Sequence, residues 1–422
     1  MKETVKIFGV PVYSRSVQTG SLSEPSEKLI AALGGGSTAS GVSITSDTAI
    51  TLSAVWRAIN VVGGTLAFLP LQVHMKNQDG GRDTLSDHHI QELLDNPTDD
   101  MPDFNFRQTL QAFKMLWGNG YAYIKRDETT GRPKELALIH PDNCEPVRTP
   151  DGIYYHVRIA PEVYSMPARN IIHIRGLGFD GLKGKSVIAI QRESLGLAKA
   201  AERYGARFFG SGGNMDGVIE VPSSLKDDVY KRLRESWNDA YHGLDNSHKT
   251  AILEAGAVYK RIGIPPEDAQ FLATRKFQIN EIARWFGVQP HLLMDLERST
   301  NNNIEHQGME FVLYTLAPDI AMWESELKRK LFTKEERRRH YVEFNINALL
   351  RADSRARSDY YKGMFAVGAM NPNRIRQLEN ESAYEGGNQY YVQAGYVPVD
   401  LIREVYSKKL NADNNENPLS IE

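Results

Sequence analysis

Cysteine is all but missing from this 422-residue chain: Cys144 is the single one, so no intrachain disulfide can form. That excludes the disulfide-stapled small secreted domains and suits a reducing compartment. No Cys-His pattern surrounds Cys144, so it is expected to act as a small, partly buried apolar residue rather than a catalytic thiol. Also absent is any run of the roughly 18 apolar residues that a membrane span requires, and no membrane partner is expected. The first residues, MKETVKIFGVPVYSR, hold neither a long apolar core nor a small-residue cleavage site, so no secretory leader is expected. An excess of one charge sign is missing as well. The chain has 50 Lys and Arg against 53 Asp and Glu, a net charge of -3. A protein that grips nucleic acid tightly carries a strongly basic field, so any DNA contact here should be weak, local or transient.

Catalytic signatures are equally sparse. There is no H-E-x-x-H, no C-x-x-C and no G-x-S-x-G. The 11 histidines do not cluster at metal-ligand spacing. His88 and His89 are adjacent and are expected to diverge from a surface helix start. Asp99-Asp100 and Asp227-Asp228 fall in predicted loops or helix starts, not in catalytic dyads. No metal or cofactor is expected.

What is present is a patterned, 41% hydrophobic chain, long enough for two or three compact units or one elongated multi-part subunit. Residues 1–46 are rich in Ser, Gly and Thr and predict a flexible arm with little core. Leu52, Val55, Ile59, Val62 and Leu66 recur at helical spacing up to Pro70. Pro70–Met75 alternates like a strand, and Asp79-Gly80-Gly81 offers a hairpin turn. A helix over Phe106–Trp117 is stopped by Gly118-Asn119-Gly120, and Tyr121–Lys125 resumes as a strand. Strand-like runs follow at Glu135–Ile139, Tyr154–Ile159 and Asn170–Ile174, giving the first half an α+β character.

The character changes after Gly184. Positions 187, 190, 194, 197, 201, 204 and 208 mark one face of a helix of about 23 residues. A small β-α-β insert follows, with a strand at Gly217–Val221, a helix at Ser224–Tyr241 and a strand at Thr250–Leu253. The next helix, opened by Pro265-Pro266, carries Leu272, Ile279, Ile282 and Phe286 on one face. Met294–Asn303 is polar and helix-poor. A third long helix runs from Ile304 to Phe332, with Ile304, Val312, Leu316, Ile320, Trp323, Leu327 and Leu331 on one face and Pro318 expected to kink it. The strand Tyr341–Ile346 and an Arg-rich helical segment complete the pattern, and no internal repeat is present. Apolar stripes of this length cannot all be buried inside a thin subunit, so they predict packing against further copies of the same chain.

Two motifs invite other readings. Gly176, Gly178 and Gly181 match G-x-G-x-x-G, and Gly184-Lys185-Ser186 resembles the end of a phosphate-binding loop. The spacing argues against an enzyme of that class. Gly178 leaves five residues before Gly184 where four are needed, and the required glycine position is Phe179. A turn that leads into a helix capped by Ser186 is the plainer reading. The Arg and Lys runs at 328–330 and 337–340, with Arg351, Arg355 and Arg357, fit a monomeric DNA-binding module or, more simply, solvated helix ends.

Taken in order, several blocks resemble the portal family of long-tailed double-stranded-DNA phages from about Ser46 to Val397. They are Leu69-Pro70-Leu71, Leu94-Asp95-Asn96-Pro97, Trp117–Tyr123, Leu138–Pro141, and Ala200–Tyr204 with Phe208-Phe209. Glu267–Leu272, Arg275–Phe277, Glu281–Ala283 and Phe286–Leu293 complete the set. The family commonly has Gly-Asn-Ala-Tyr where this chain has Gly118-Asn119-Gly120-Tyr121.

The resemblance implies an elongated α+β subunit assembled in a cyclic ring, usually of twelve. It would have a flexible N-terminal arm (1–46), a wing (47–185), a stem helix (186–212) and a clip (213–265). A second stem helix (266–291), a tunnel loop (292–303), a helix and strand returning to the wing (304–346), a crown (347–406) and a disordered tail (407–422) would follow. Tyr204, Phe208, Leu272 and Phe286 would be buried in or between stems. Arg298, Ser299, Thr300, Asn301, Asn302 and Asn303 would face DNA without reading its sequence. Lys226, Lys231, Arg232 and Arg234 would form the clip's partner surface. The implied function is a non-enzymatic channel at one capsid vertex, assembled in the host bacterial cytoplasm. Its partners would be viral DNA, the large terminase subunit, head-completion and adaptor proteins and the major capsid protein.

Overall fold

The computed structural model describes residues 4–7, 10–14, 38–210, 217–222, 227–241, 257–261, 268–295, 308–352, 354–379 and 381–391. The chain divides into two units, residues 1–344 and 345–422. In the first, a hairpin of β1 (Thr4–Ile7) and β2 (Val10–Ser14) precedes a one-turn helix, α1 (Ser46–Ala49), whose N-cap Thr45 accepts the Thr48 amide. The arm expected to lack structure up to residue 46 therefore contains paired strands. It also contains a strap at 38–44, where Thr38, Val42 and Ile44 are buried. The apolar spacing of this strap is too irregular to stand out in a Ser/Gly-rich stretch.

Helix α2 (Ser53–Phe68) buries Val55, Ile59, Val62 and Leu66 as their spacing predicts, and ends at Leu69 before Pro70. Strands β3 (Leu71–Lys76) and β4 (Arg82–Thr84) form the expected hairpin, with β13 (His340–Phe344) on the other side of β3. After α3 (His89–Asp95), helix α4 (Asp103–Trp117) crosses α2 and ends at Gly118, whose φ of 76° is left-handed.

The chain turns there directly into β5 (Asn119–Arg126), the central strand of a β10-β5-β6 sheet with β6 (Pro133–Ile139) and β10 (Ile171–Arg175). Strand β5 is buried on both faces. Tyr121 and Tyr123 enter a cluster with Cys144, Tyr155, Val157, Tyr164 and Met166. Burial raises the Cys144 thiol pKa well above its ordinary value, which leaves it inert. The opposite face of β5 lies on α4.

The cluster's other residues come from the sheet β1-β2-β9-β8-β7, built on β7 (Cys144–Thr149), β8 (Gly152–Ile159) and β9 (Glu162–Pro167).

A one-turn helix α5 (Val187–Ile190) and α6 (Arg192–Gly210) replace the single long helix expected from 187 to 208, with a turn at Gln191. The apolar side chains of this segment divide between burial and exposure. Ile188, Leu195 and Ala198 are buried, whereas Ile190, Leu197 and Tyr204 are 63%, 53% and 50% exposed. The strap packs against the flank of α6, with the Thr38 side chain seated over Gly196 and the Ala39 amide on exposed Glu193.

Strand β11 (Gly217–Glu220), helix α7 (Asp227–Tyr241) and β12 (Val258–Arg261) form the β-α-β insert. Its described second strand lies at 258–261, where Val258-Tyr259 supplies apolar β-formers. The strand expected at 250–253 lies outside the described residues.

Helix α8 (Asp268–Phe286) packs on α2 and α6. The last long helix is α-helical at 308–310, passes through a π-helical turn at Phe311–Leu316, in which Ala317 donates to Val312 O, and continues as α9 (Ala317–Leu331). The π turn changes which residue is buried: Phe311 lies inside, not Val312. Phe311 and Leu316 are five residues apart, roughly 140° out of phase on a regular α-helix, and the wider turn brings both inward. Pro318 sits in the first turn of α9, where its missing N–H costs little. No helix of the described residues is long and apolar enough to cross a membrane.

The second unit contains a 3-10 segment (Ile346–Ala352), α10 (Ser354–Ala366) and α11 (Pro372–Leu378). Asn371 caps α11, and buried Asn373 binds both the N–H and the C=O of Tyr384.

Gly120 sets the distance between α4 and β5. A Cβ there would lie 2.5 Å from the Leu110 carbonyl oxygen and 3.0 Å from its Cδ1. The Gly120→Ala variant is expected to lose roughly 1–3 kcal/mol through overpacking, read as a lower thermal midpoint than the parent's. An unchanged midpoint would mean that the helix yields freely.

Candidate functional site

The Gly-rich segment 176–186 is a closed turn. Its Leu182 and Lys183 amides donate to Asp180 Oδ1 at 2.7 and 2.9 Å. The chain's own carboxylate thus takes the amides that would point at a phosphate, and those bonds hold its pKa below the usual value. Lys185 is exposed, while its amide donates to Leu177 O. Ser186 caps α5 by accepting the Ala189 amide and donates to Leu116 O at 2.6 Å. A Cβ on Gly184 would lie 2.1 Å from Gly118 O, so these glycines serve close backbone approach.

What that turn packs against is a buried polar hub. Asn119 Nδ2 donates to Trp117 O and Gly184 O, and Asn119 Oδ1 accepts the Gly184 amide at 2.7 Å. This orients the amide and fixes the tautomer of buried His173. His173 Nε2–H donates to Asn119 Oδ1 at 3.0 Å, and Nδ1 accepts from Tyr155 O–H at 3.0 Å. The His173 amide donates to Glu326 Oε1, which links β10 to α9. Burial, followed by the Arg175, Lys330 and Arg329 charges, pushes His173 down to about 2.

Glu326 also pairs with Arg329 and Lys330. Lys330 was expected on a solvated helix end; it is buried, donates to Ala168 O and is lowered by burial to about 8. One face of a helix end can lie inward even where the sequence reads Lys-Arg-Lys, because Glu326 one turn earlier neutralises it.

His88 and His89 do not diverge. His88 precedes α3 as its N-cap, and its ring lies 4.4 Å from that of His89 and 5.6 Å from that of His340. Among the described residues no group of three His, Cys, Asp or Glu side chains could hold a metal ion.

Of the expected assembly residues, Phe286 is buried within the subunit and Tyr204 is half exposed. Phe208 and Leu272 lie on α6 and α8, but their side chains fall outside the described residues. Lys231, Arg232 and Arg234 are exposed on α7, and Lys226 falls outside the described residues. All six tunnel-loop residues, Arg298, Ser299, Thr300, Asn301, Asn302 and Asn303, also fall outside them. Ile190 and Leu197, placed by their spacing on one apolar face and expected to pack against further copies, are exposed, as is Tyr204. Their seven-residue spacing was the available signal. Met309, Leu313 and Tyr314, before and within the π turn, are likewise exposed.

The sequence model of the family described as "Phage portal protein" matches residues 53–380, over three quarters of the chain. The chain belongs to the phage portal protein family. It is 32% identical to the portal protein of Enterobacteria phage HK97, over 85% of each sequence. It is 30% identical to a probable portal protein of Streptomyces phage phiC31, over 83% of this chain and 79% of that one. Among solved structures, this portal-family fold is similar to a chain of the virion of a native gene transfer agent particle. The TM-score is 0.55 at 19% identity, covering 85% of this chain and 99% of that one. It is also similar to an HK97-family phage portal protein from Corynebacterium diphtheriae, at TM-score 0.54 and 17% identity, over 72% and 96%.

The portal-family hub has a pH signature. Unfolded histidine titrates near 6.5, while folded His173 stays neutral down to about 2. Between those values the unfolded chain binds more protons, so the hub's stability is complete above about pH 6.5 and is lost as the pH falls. Going from pH 7 to 5 should cost about 2 kcal/mol through this residue. His74, His88 and His89, also lowered chiefly by burial, add to the same trend. Denaturant unfolding at the two pH values is expected to show a smaller drop for His173→Gln than for the parent. Equal drops would remove His173 from the account.

Proposed function

We propose that copies of this chain close into a ring at one vertex of a phage capsid and form the channel through which double-stranded DNA enters and leaves. The observation that carries this reading is the family match across residues 53–380, joined to 32% identity with a phage portal protein. The subunit's outward apolar line of Ile190, Leu197 and Tyr204 supports it. Such a line is costly in water and is relieved when a neighbour covers it. A head-to-tail contact of this kind closes when its rotation divides a circle. Twelve copies is the number favoured here, in keeping with a similar chain in a gene transfer agent neck computed with C12 symmetry.

In this assignment α6 and α8 are the stem, β11-α7-β12 the clip, residues 292–303 the tunnel loop and residues 347–406 the crown. The clip cations Lys231, Arg232 and Arg234 would meet the terminase motor and later the head-completion and adaptor proteins, and the wing the major capsid protein. The protein would perform no covalent chemistry; Asp180, seated on the Gly-rich turn's own amides, supports that. Near-neutral charge suits a conduit, because every phosphate neutralised adds affinity and therefore drag. Arg298, Ser299, Thr300 and Asn301 to Asn303 would touch phosphate only, so passage would be insensitive to sequence.

Negative-stain microscopy of the purified protein is expected to show rings with a central hole; a monomer at all concentrations would end the reading. Leu197→Asp is expected to leave a folded subunit, with unchanged circular dichroism, but no ring. In packaging assays on assembled proheads, Arg298→Glu is expected to slow DNA entry more at low salt than at high salt, as screening predicts. Packaging like the parent's at every salt would take Arg298 off the channel wall.

A further inference from the structure

The five-stranded sheet is joined unevenly at its middle strand, β9. Strand β9 pairs with β8 along its whole length, from Tyr154–Pro167 to Ile159–Glu162. Its other edge is covered only at its middle, where β2 pairs through Tyr13–Ser165 and Ser14–Tyr164. The covering strand belongs to a terminal hairpin whose own strands pair from Thr4–Tyr13 to Ile7–Val10. A two-stranded hairpin is at best marginal alone, and a bare sheet edge is an open template for another strand. Hairpin and edge therefore each need the other, but they need not belong to the same copy.

The covalent path leaves that choice open. Residues 15–37 separate β2 from the strap, 23 residues that span up to roughly 80 Å when extended. The strap itself is firmly held: Thr38 is buried, it sits over Gly196, and the Ala39 amide donates to Glu193 Oε2 at 2.9 Å. The tether thus meets the body on α6, one residue from Leu197 on the outward line. It starts beside the surface that the ring reading assigns to the next copy.

We infer that in the assembled ring the β1–β2 hairpin of each copy is donated to β9 of its neighbour. This rests on the ring reading. In an isolated chain the hairpin has only its own β9 to pair with; in a ring a second, chemically identical edge stands within reach. The exchange loses no backbone pairing. Around a closed ring every donor finds an acceptor, so no β9 is left without a hairpin. Each hairpin also adds a tether between copies at high effective concentration.

Cysteine pairs test this cleanly, because Cys144 is buried and does not compete. Directly opposed residues in an antiparallel pair have Cα atoms about 4.5–5.5 Å apart, within disulfide range. Tyr13→Cys/Ser165→Cys and Ser14→Cys/Tyr164→Cys sample both kinds of opposed pair. Each full-length variant is first sized by native mass measurement, then oxidised and run on a denaturing gel without reductant. Donation is expected to give a ladder of covalent multimers reaching the ring's copy number, collapsing to monomer with reductant. Monomers carrying an internal disulfide would overturn it, and so would free thiols in both variants, since the pairing would then not exist in the ring. A parent protein that is monomeric by native mass would fail the ring reading itself, a result the gel cannot be confused with.

Discussion

The side-chain amide of Asn119 holds the first unit together. It makes two donations and two acceptances, to Trp117, Gly184 and His173, and so uses its whole hydrogen-bonding capacity in a buried place. Each partner belongs to a different piece: the end of α4, the turn that leads to α5 and the strand β10. Through His173 the same chain of bonds reaches Tyr155 in the five-stranded sheet and Glu326 on α9. Buried polar groups are cheap only when all are satisfied, so these pieces are placed together or not at all. The route explains why Gly118, Gly120 and Gly184 crowd this spot: a Cβ at any of them would enter a neighbouring backbone.

The same constraint turns a suggestive motif into structure. The loop from Gly176 to Ser186 looks like a cradle for a nucleotide, but it is pulled onto Gly118 and Asn119, and its free amides are met by Asp180. Ser186, tied to Leu116 O, then fixes where α5 starts. The direction in which the helical part leaves the α+β part is therefore set by a few bonds within the hub, well away from the exposed apolar line that supports assembly.

How much of this could be read in advance varies element by element. Helix α2, the β3–β4 hairpin and the Gly118 stop were legible because each has a local cause: apolar spacing, an Asp-Gly-Gly turn, a left-handed cap. Strands β7 and β9 were not. Cys144–Thr149 and Glu162–Pro167 mix charge and proline, and become strands only through pairing with β8. The stripe on α6 was visible, but the strap was not, because nothing local says that Thr38 seats over Gly196. The π turn likewise shifts burial from Val312 to Phe311, which a fixed α period misses. Of the candidate functional residues, Phe286, Tyr204 and the α7 cations have described surroundings. The hub's Asn119 and His173 gave no periodic signal, since a polar residue inside a strand is recognisable only by its partners.

Leu197 and Tyr204 point off the same side of α6. On a helix of 3.6 residues per turn, seven residues fall about 20° short of two full turns. The apolar line therefore winds slowly around α6 and does not run parallel to its axis. A neighbour that follows it must cross at an incline, and repetition around a closed circle gives every copy the same incline. A ring built on this line has a sense of twist, and that handedness is already written in the difference between seven residues and two turns.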